Sequence, residues 1–316
     1  YKTPCPNDDH DADVMYNLWV KELDCVDCGH TVPLFKDYRV AAGRYENDDK
    51  YNVLCPDCGA VTLVEDWQEE SNCDECDHEF VPEDGNVTRG GYYNCPECGQ
   101  KESITDGIQE QDGYDLRLYA VEYYCESCEN AGAEKSVYKG YKAAETADMV
   151  VFEEAKKEWN TRTDLHEFVP SEDIPEGHMT SERNPVFDHG YSKWTDMFNE
   201  RQLLAFSKII KSIGNLDDSK VAEFLLLALS DSLRYNTMMV GYHHGRNHIH
   251  DLFKTNSFDS ANKPTEANVW GTKYGLGSFS TTAEMIKSGI EYAKAPTDRY
   301  VEDGETVESE PFSQPI

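Results

Sequence analysis

The chain of 316 residues carries 61 acidic against 29 basic side chains, for a net charge of −32. That balance excludes nucleic-acid binding through bulk positive charge, and the longest apolar stretch, Phe224 to Leu229, is far short of the roughly 18 residues of a helical membrane span. With no secretory leader in view, a salt-rich and reducing cytoplasm is the expected setting, where screening over a few Å tolerates such acidity.

In chain order, residues 1–20 read as a polar edge, with Cys5 left over from any pair. Five Cys-x-x-Cys pairs follow: Cys25/Cys28, Cys55/Cys58, Cys73/Cys76, Cys95/Cys98 and Cys125/Cys128. A two-residue gap lets both thiolates meet one ion, and a glycine after the second cysteine (Gly29, Gly59, Gly99) permits the tight turn of a zinc knuckle. Short strands lead into the knuckles: Tyr51 to Leu54 into Cys55, Gly91 to Asn94 into Cys95, and Leu116 to Tyr124 into Cys125. Together these predict tandem zinc ribbons holding Zn2+ in closed, structural sites.

The pairing of knuckles stays open at this level. Cys55/Cys58 and Cys73/Cys76 have the spacing of one ribbon, which makes Cys25/Cys28 and Cys95/Cys98 partners around it and leaves Cys125/Cys128 incomplete. Cys95/Cys98 can instead join Cys125/Cys128, leaving Cys25/Cys28 short. His30 and His78 are the candidate substitutes.

Beyond the cysteines, Ala143 to Trp159 predicts a helix with Val150, Val151, Ala155 and Trp159 toward a core. Phe168 to Tyr191, with three prolines and two glycines, predicts a linker or extended loop. Asn199 with Gln202 forms a capping pattern for a helix that buries Leu203, Phe206, Ile210 and Ile213 and stops at Gly214. Asp217 or Asp218 caps a second helix through Tyr235, whose Phe224 to Leu229 centre is apolar all round and is expected between layers. After residue 240 no regular structure is predicted. Four histidines in eight residues, His243, His244, His248 and His250, are numerous enough to bind a metal, but the preferred reading is a polar loop with Arg246 available to phosphate; Trp270 to Gly277 reads as a packed turn. The chain thus divides into an edge (1–20), a ribbon region (21–142), a helix and proline-rich linker (143–195) and a helical segment with an irregular end (196–316).

Several blocks carry a resemblance. Trp194-Thr-Asp-Met-Phe-Asn-Glu-Arg-Gln-Leu-Leu-Ala-Phe-Ser and Phe224-Leu-Leu-Leu-Ala-Leu-Ser-Asp-Ser-Leu-Arg-Tyr-Asn236 resemble the helix block of the large zinc-ribbon-containing adenine-specific DNA methylases. Leu18-Trp19 leading to Cys25-Val-Asp-Cys-Gly and Val32-Pro-Leu, then Glu122-Tyr-Tyr-Cys, Tyr141-Lys-Ala and Glu266-Ala-Asn-Val-Trp-Gly-Thr, resemble its other blocks. The resemblance implies an internal fragment of a transferase, from a halophilic archaeon given the acidity, that moves a methyl group from S-adenosylmethionine to adenine in DNA. Its fold would be α+β: small antiparallel β ribbons followed by a mainly helical segment of an α/β methyltransferase core. No Asp-Pro-Pro-Tyr motif or glycine-rich cofactor loop stands here, so no catalytic or cofactor-binding residue is assigned. DNA is the implied partner, together with proteins of a restriction-modification or defence system and no membrane. Arg39, Arg44, Lys139 and Lys142 are the candidate phosphate contacts. The rival expectation is a non-catalytic adaptor that docks protein or nucleic acid through its ribbons.

Overall fold

A computed structural model describes residues 1–182, 185–254 and 258–312; Arg183 and Asn184 of the predicted linker lie outside it. The architecture is α+β, built on a six-stranded antiparallel sheet. Its centre is the strand Asp11–Asp24, which pairs with Lys2–Pro4 near its start, Asp115–Tyr124 along its length, Thr265–Ala267 at its middle and Thr31–Pro33 at its end. Lys139–Ala143 extends the sheet beyond Asp115–Tyr124. The central strand is almost wholly buried from Val14 to Lys21, as a Val-, Tyr- and Trp-rich segment covered on both faces should be. Residues 1–20 are therefore not a polar edge. Their charges cluster at residues 8–13, and the apolar run behind them supplies the middle of the sheet.

Two ribbon units hang from the sheet. Arg39–Ala42, Tyr51–Leu54 and Val61–Val64 form one three-stranded sheet beside the hairpin Ser71–Asn72/Glu79–Phe80, and Val87–Thr88, Tyr92–Asn94 and Lys101–Ser103 form another. The predicted strands before Cys55, Cys95 and Cys125 are all present.

Against the other side stand the helices. Thr146–Thr161 buries Phe152 and Trp159, while Val150 is exposed and Val151 and Ala155 are only half-buried. Phe152 packs edge-on to Trp19 at 4.9 Å, so an aromatic contact with the sheet sets the rotation of this helix rather than its valines. Glu200–Gly214 is capped by Asn199 and Gln202 as expected and buries Leu204, Phe206, Ile209 and Ile213; Leu203 and Ile210 lie at the margin of that face. Ser219–Leu233 is capped by Asp218, but only Ala228, Leu229 and Ser232 are buried, and Phe224, Leu226 and Leu227 face outward. The layered burial expected of this helix is not present. Its inner face meets Phe279–Lys294, a helix that the sequence reading missed. Among the described residues, no helix is long and apolar enough to cross a membrane.

Candidate metal centres

The three-dimensional arrangement gathers the cysteines into three four-ligand groups among the described residues: Cys25/Cys28/Cys95/Cys98, Cys55/Cys58/Cys73/Cys76 and Cys5/His10/Cys125/Cys128. Each could bind zinc. The first two are the nested arrangement, one ribbon inserted in the other. The alternative of Cys95/Cys98 with Cys125/Cys128 is excluded by the fold, because Asp115–Tyr124 carries Cys125 to the far end of the central strand, beside His10.

Sulfur spacings agree with a shared ion. Cys25–Cys98 and Cys58–Cys73 are 3.6 Å apart, and Cys28–Cys95, Cys55–Cys76 and Cys5–Cys128 are 3.7 Å. Four sulfurs about 2.3 Å from a tetrahedral zinc lie about 3.8 Å apart, whereas a disulfide would close them to about 2.05 Å. His10 Nε2 lies 3.6 Å from Cys128 Sγ and 2.9 Å from Cys125 Sγ, and its Nδ1 faces the Asp8 carboxylate at 3.7 Å. A carboxylate behind a ligating imidazole fixes its orientation.

The knuckle backbone explains why glycine recurs. Gly29, Gly59 and Gly99 adopt φ of +71°, +76° and +76°, and each donates its N–H to the carbonyl of the first cysteine at 2.8–3.0 Å. Asp77 fills the same left-handed position in the Cys73/Cys76 knuckle, at φ +57°, with the strain a side chain brings there. Cys125/Cys128 lacks that turn. Cys125 instead caps a short helix, Glu126–Asn130, its sulfur accepting from Cys128 N–H at 3.4 Å.

The thiols of one cluster shift in opposite directions, Cys25 and Cys98 upward and Cys95 downward. Desolvation opposes the thiolate at Cys95, but amide hydrogen bonds from Cys98 and Glu97 and contacts with the Cys28 and Cys98 sulfurs bring the thiol down to about 7. The thiolate is the form that binds zinc. With four protein ligands each, an ion held there would have no open position left for a substrate, as in a structural site.

His10 and Cys5 are the candidate ligands that sequence reasoning missed, and Cys5 is not left over. His30 and His78 are exposed and belong to none of the three groups; their carbonyls accept the N–H of Cys25 and Cys73 at 2.9 and 3.0 Å. The signal available was arithmetic. An incomplete Cys125/Cys128 pair needs two more ligands, and the spare cysteine has a histidine five residues away.

The four candidate phosphate contacts are largely occupied. Arg44 pairs with the fully buried Glu122 at 2.9 Å, Lys142 is buried between Glu145 and Asp148, and Arg39 stacks on Trp67 at 3.9 Å. Lys139 sits over the Tyr274 ring at 4.7 Å. A cleft of about 770 Å³ beside the Cys55/Cys58 knuckle is lined by Asp57 and Glu75, and its Arg117 is paired with Glu22. It does not offer phosphate a cationic surface.

Comparison with known proteins yields no matching family model, no similar curated protein and no similar solved structure.

Proposed function

We propose that this chain is the zinc-scaffolded part of an S-adenosylmethionine-dependent DNA adenine methyltransferase, in which the ribbons and central sheet hold the helical block against the target. The observation that supports this is a buried triad. Glu266 accepts from Trp19 Nε1 at 3.0 Å and takes a two-pronged contact from Arg201, at 2.7 Å from Nε and 2.6 Å from a terminal nitrogen. Trp19, Arg201 and Glu266 come from three separate blocks that carry the resemblance, and all three are buried. A second convergence joins Glu122 to Arg44 and to the hydroxyl of Tyr242, which in turn meets Tyr141 at 2.7 Å. Buried charges persist only when paired and hydrogen-bonded, so the resembling stretches depend on each other as parts of one unit.

The methyl donor would be bound, and the adenine flipped out of its stack, by residues other than those assigned here. The test is transfer of labelled methyl from S-adenosylmethionine to adenine N6 in duplex DNA by the full gene product, alongside DNA titration of this chain at several salt concentrations. Transfer that falls when a ribbon cysteine is replaced is expected. No transfer, with no DNA binding even at low salt, overturns the reading. The exposed Phe224, Leu226 and Leu227, set in a chain of net charge −32, favour a second reading, a module that docks protein through its helices. Co-purification of a stoichiometric partner in the absence of transferase activity would select it.

A further inference from the structure

The histidine-rich hairpin is left unused by the zinc centres and by the proposed activity. Its strands, Tyr242–His243 and His248–Ile249, pair antiparallel with His243 opposite His248. Facing residues share one side of a hairpin, and so do residues two apart on a strand. His243, His248 and His250 therefore stand on one side, while Tyr242 and Ile249 are buried on the other. The ring centroids of His243 lie 5.3 Å from those of His248 and 5.2 Å from those of His250, with 6.4 Å between the latter two. Three imidazoles sharing an ion through nitrogens about 2.0–2.1 Å away place their centroids about 5 Å apart. Two of the three separations already match.

The ring nitrogens are arranged to suit. His248 Nδ1 lies 2.8 Å from the Ile249 carbonyl, which accepts its N–H and leaves the Nε2 lone pair outward. His243 Nδ1 accepts the Arg246 N–H at 3.2 Å, but that N–H also reaches the His243 carbonyl at 3.1 Å, so the ring can turn without orphaning it.

The platform is held from behind. Asn247, at the hairpin tip with φ +52°, exchanges two hydrogen bonds with the Ala42 backbone at 3.0 and 2.7 Å, and His244 Nδ1 donates to the Val40 carbonyl at 2.8 Å. His244 thus points into the first ribbon and is not part of the cluster. Among the described residues, only the three cysteine-rich groups bring three or more ligand atoms within 4.8 Å of one another, so an ion shared by the three imidazoles would require His248 and His250 to close inward by a side-chain rotation.

We propose that His243, His248 and His250 bind one divalent transition-metal ion, of the zinc, nickel and copper class that imidazole favours, with at least one coordination position left open. Burial first, and then the charge of Lys254, oppose positive charge at His250.

The experiment uses the chain with its cysteine centres filled with zinc and titrates Ni2+ by calorimetry and equilibrium dialysis near pH 7.5. One nickel per chain is expected without loss of zinc. The H248Q, H250Q double variant should weaken binding by more than about 100-fold while keeping its zinc, because two of three ligands are gone. H30Q, H78Q should leave binding unchanged, and K254Q should tighten it. Should the double variant fail to fold, Cu2+ added to the unaltered protein must broaden the ring proton signals of these three histidines before those of His30 and His78. Absence of nickel binding, equal binding by the double variant, or earlier broadening at His30 or His78 overturns the proposal.

Discussion

The Cys55/Cys58/Cys73/Cys76 ribbon and the Cys5/His10/Cys125/Cys128 centre each gather four candidate ligands, yet they are assembled in different ways. In the ribbon, Cys58 and Cys73 are 15 residues apart; in the N-terminal centre, His10 and Cys125 are 115 apart. Loop closure grows as (3/2)RT ln n, so the longer span costs about 2 kcal/mol more entropy. The ribbon can gather its ligands from sequence neighbours alone. The N-terminal centre relies on the sheet to bring its two halves together, through the register that sets Tyr124 opposite Asp13. Zinc at the first would make a local fold, whereas zinc at the second would fasten a fold already under way.

That contrast can be broken most directly by removing metal. Native mass spectrometry should count three zinc ions, and a strong chelator should abolish the cooperative thermal transition, since structural zinc contributes on the order of 10 kcal/mol to folding. Metal-free protein that keeps its transition would remove the basis of the comparison. Single replacements sharpen it. Cys73→Ser should release one zinc and disorder the segment around residues 55–80, leaving the central sheet protected from hydrogen exchange. Cys125→Ser should also release one zinc, but it should loosen the strands on both sides of residue 12.

The next largest effect belongs to a buried polar contact that includes none of the candidate metal ligands. Glu266→Gln leaves the Arg201 charge buried without its partner and should cost about 3–5 kcal/mol in urea unfolding at unchanged zinc content. A loss below about 1 kcal/mol would show that the triad is not a fastening point.

A weaker test uses pH. Burial, with Lys21 nearby, lowers the His189 pKa, and its Nδ1 lacks a hydrogen-bond partner. The unfolded chain takes up a proton near pH 6.5 while the folded chain resists it, so this contribution is present above about 6.5 and is lost as pH falls below it. Urea midpoints across pH 7.5 to 5.5 should fall less steeply for His189→Gln than for the parent. Parallel slopes would deny His189 any part in the pH response. Smallest of all, Leu227→Gln on the outer helix face should change the stability of this chain by no more than about 0.5 kcal/mol; a larger loss would mean that the face is covered.

Much of the ribbon architecture was legible because its signals are local. Cys-x-x-Cys-Gly encodes both ligand spacing and turn, and the strands entering Cys55, Cys95 and Cys125 lie where their aromatic and β-branched residues place them. Cys5 and His10 were illegible for the opposite reason: the link to Cys125 runs through strand pairing that no spacing reports. Helix Thr146–Thr161 was found, but Phe152 was not named as its anchor, since the choice between valine and phenylalanine faces depends on where Trp19 sits. The late hairpin and Phe279–Lys294 were missed because glycine and asparagine around them mask the periodicity. Phe224, Leu226 and Leu227 read as core from hydrophobicity alone, while burial also requires a neighbour on that side.

Cys5 and His10 precede the strand Asp11–Asp24, and Cys25 follows it at once. A chain synthesised under zinc starvation would lack the anchors on either flank of this strand and expose its Val14–Val20 segment to proteases before the sheet could set. Unmetallated chains should then be degraded faster than zinc-loaded ones.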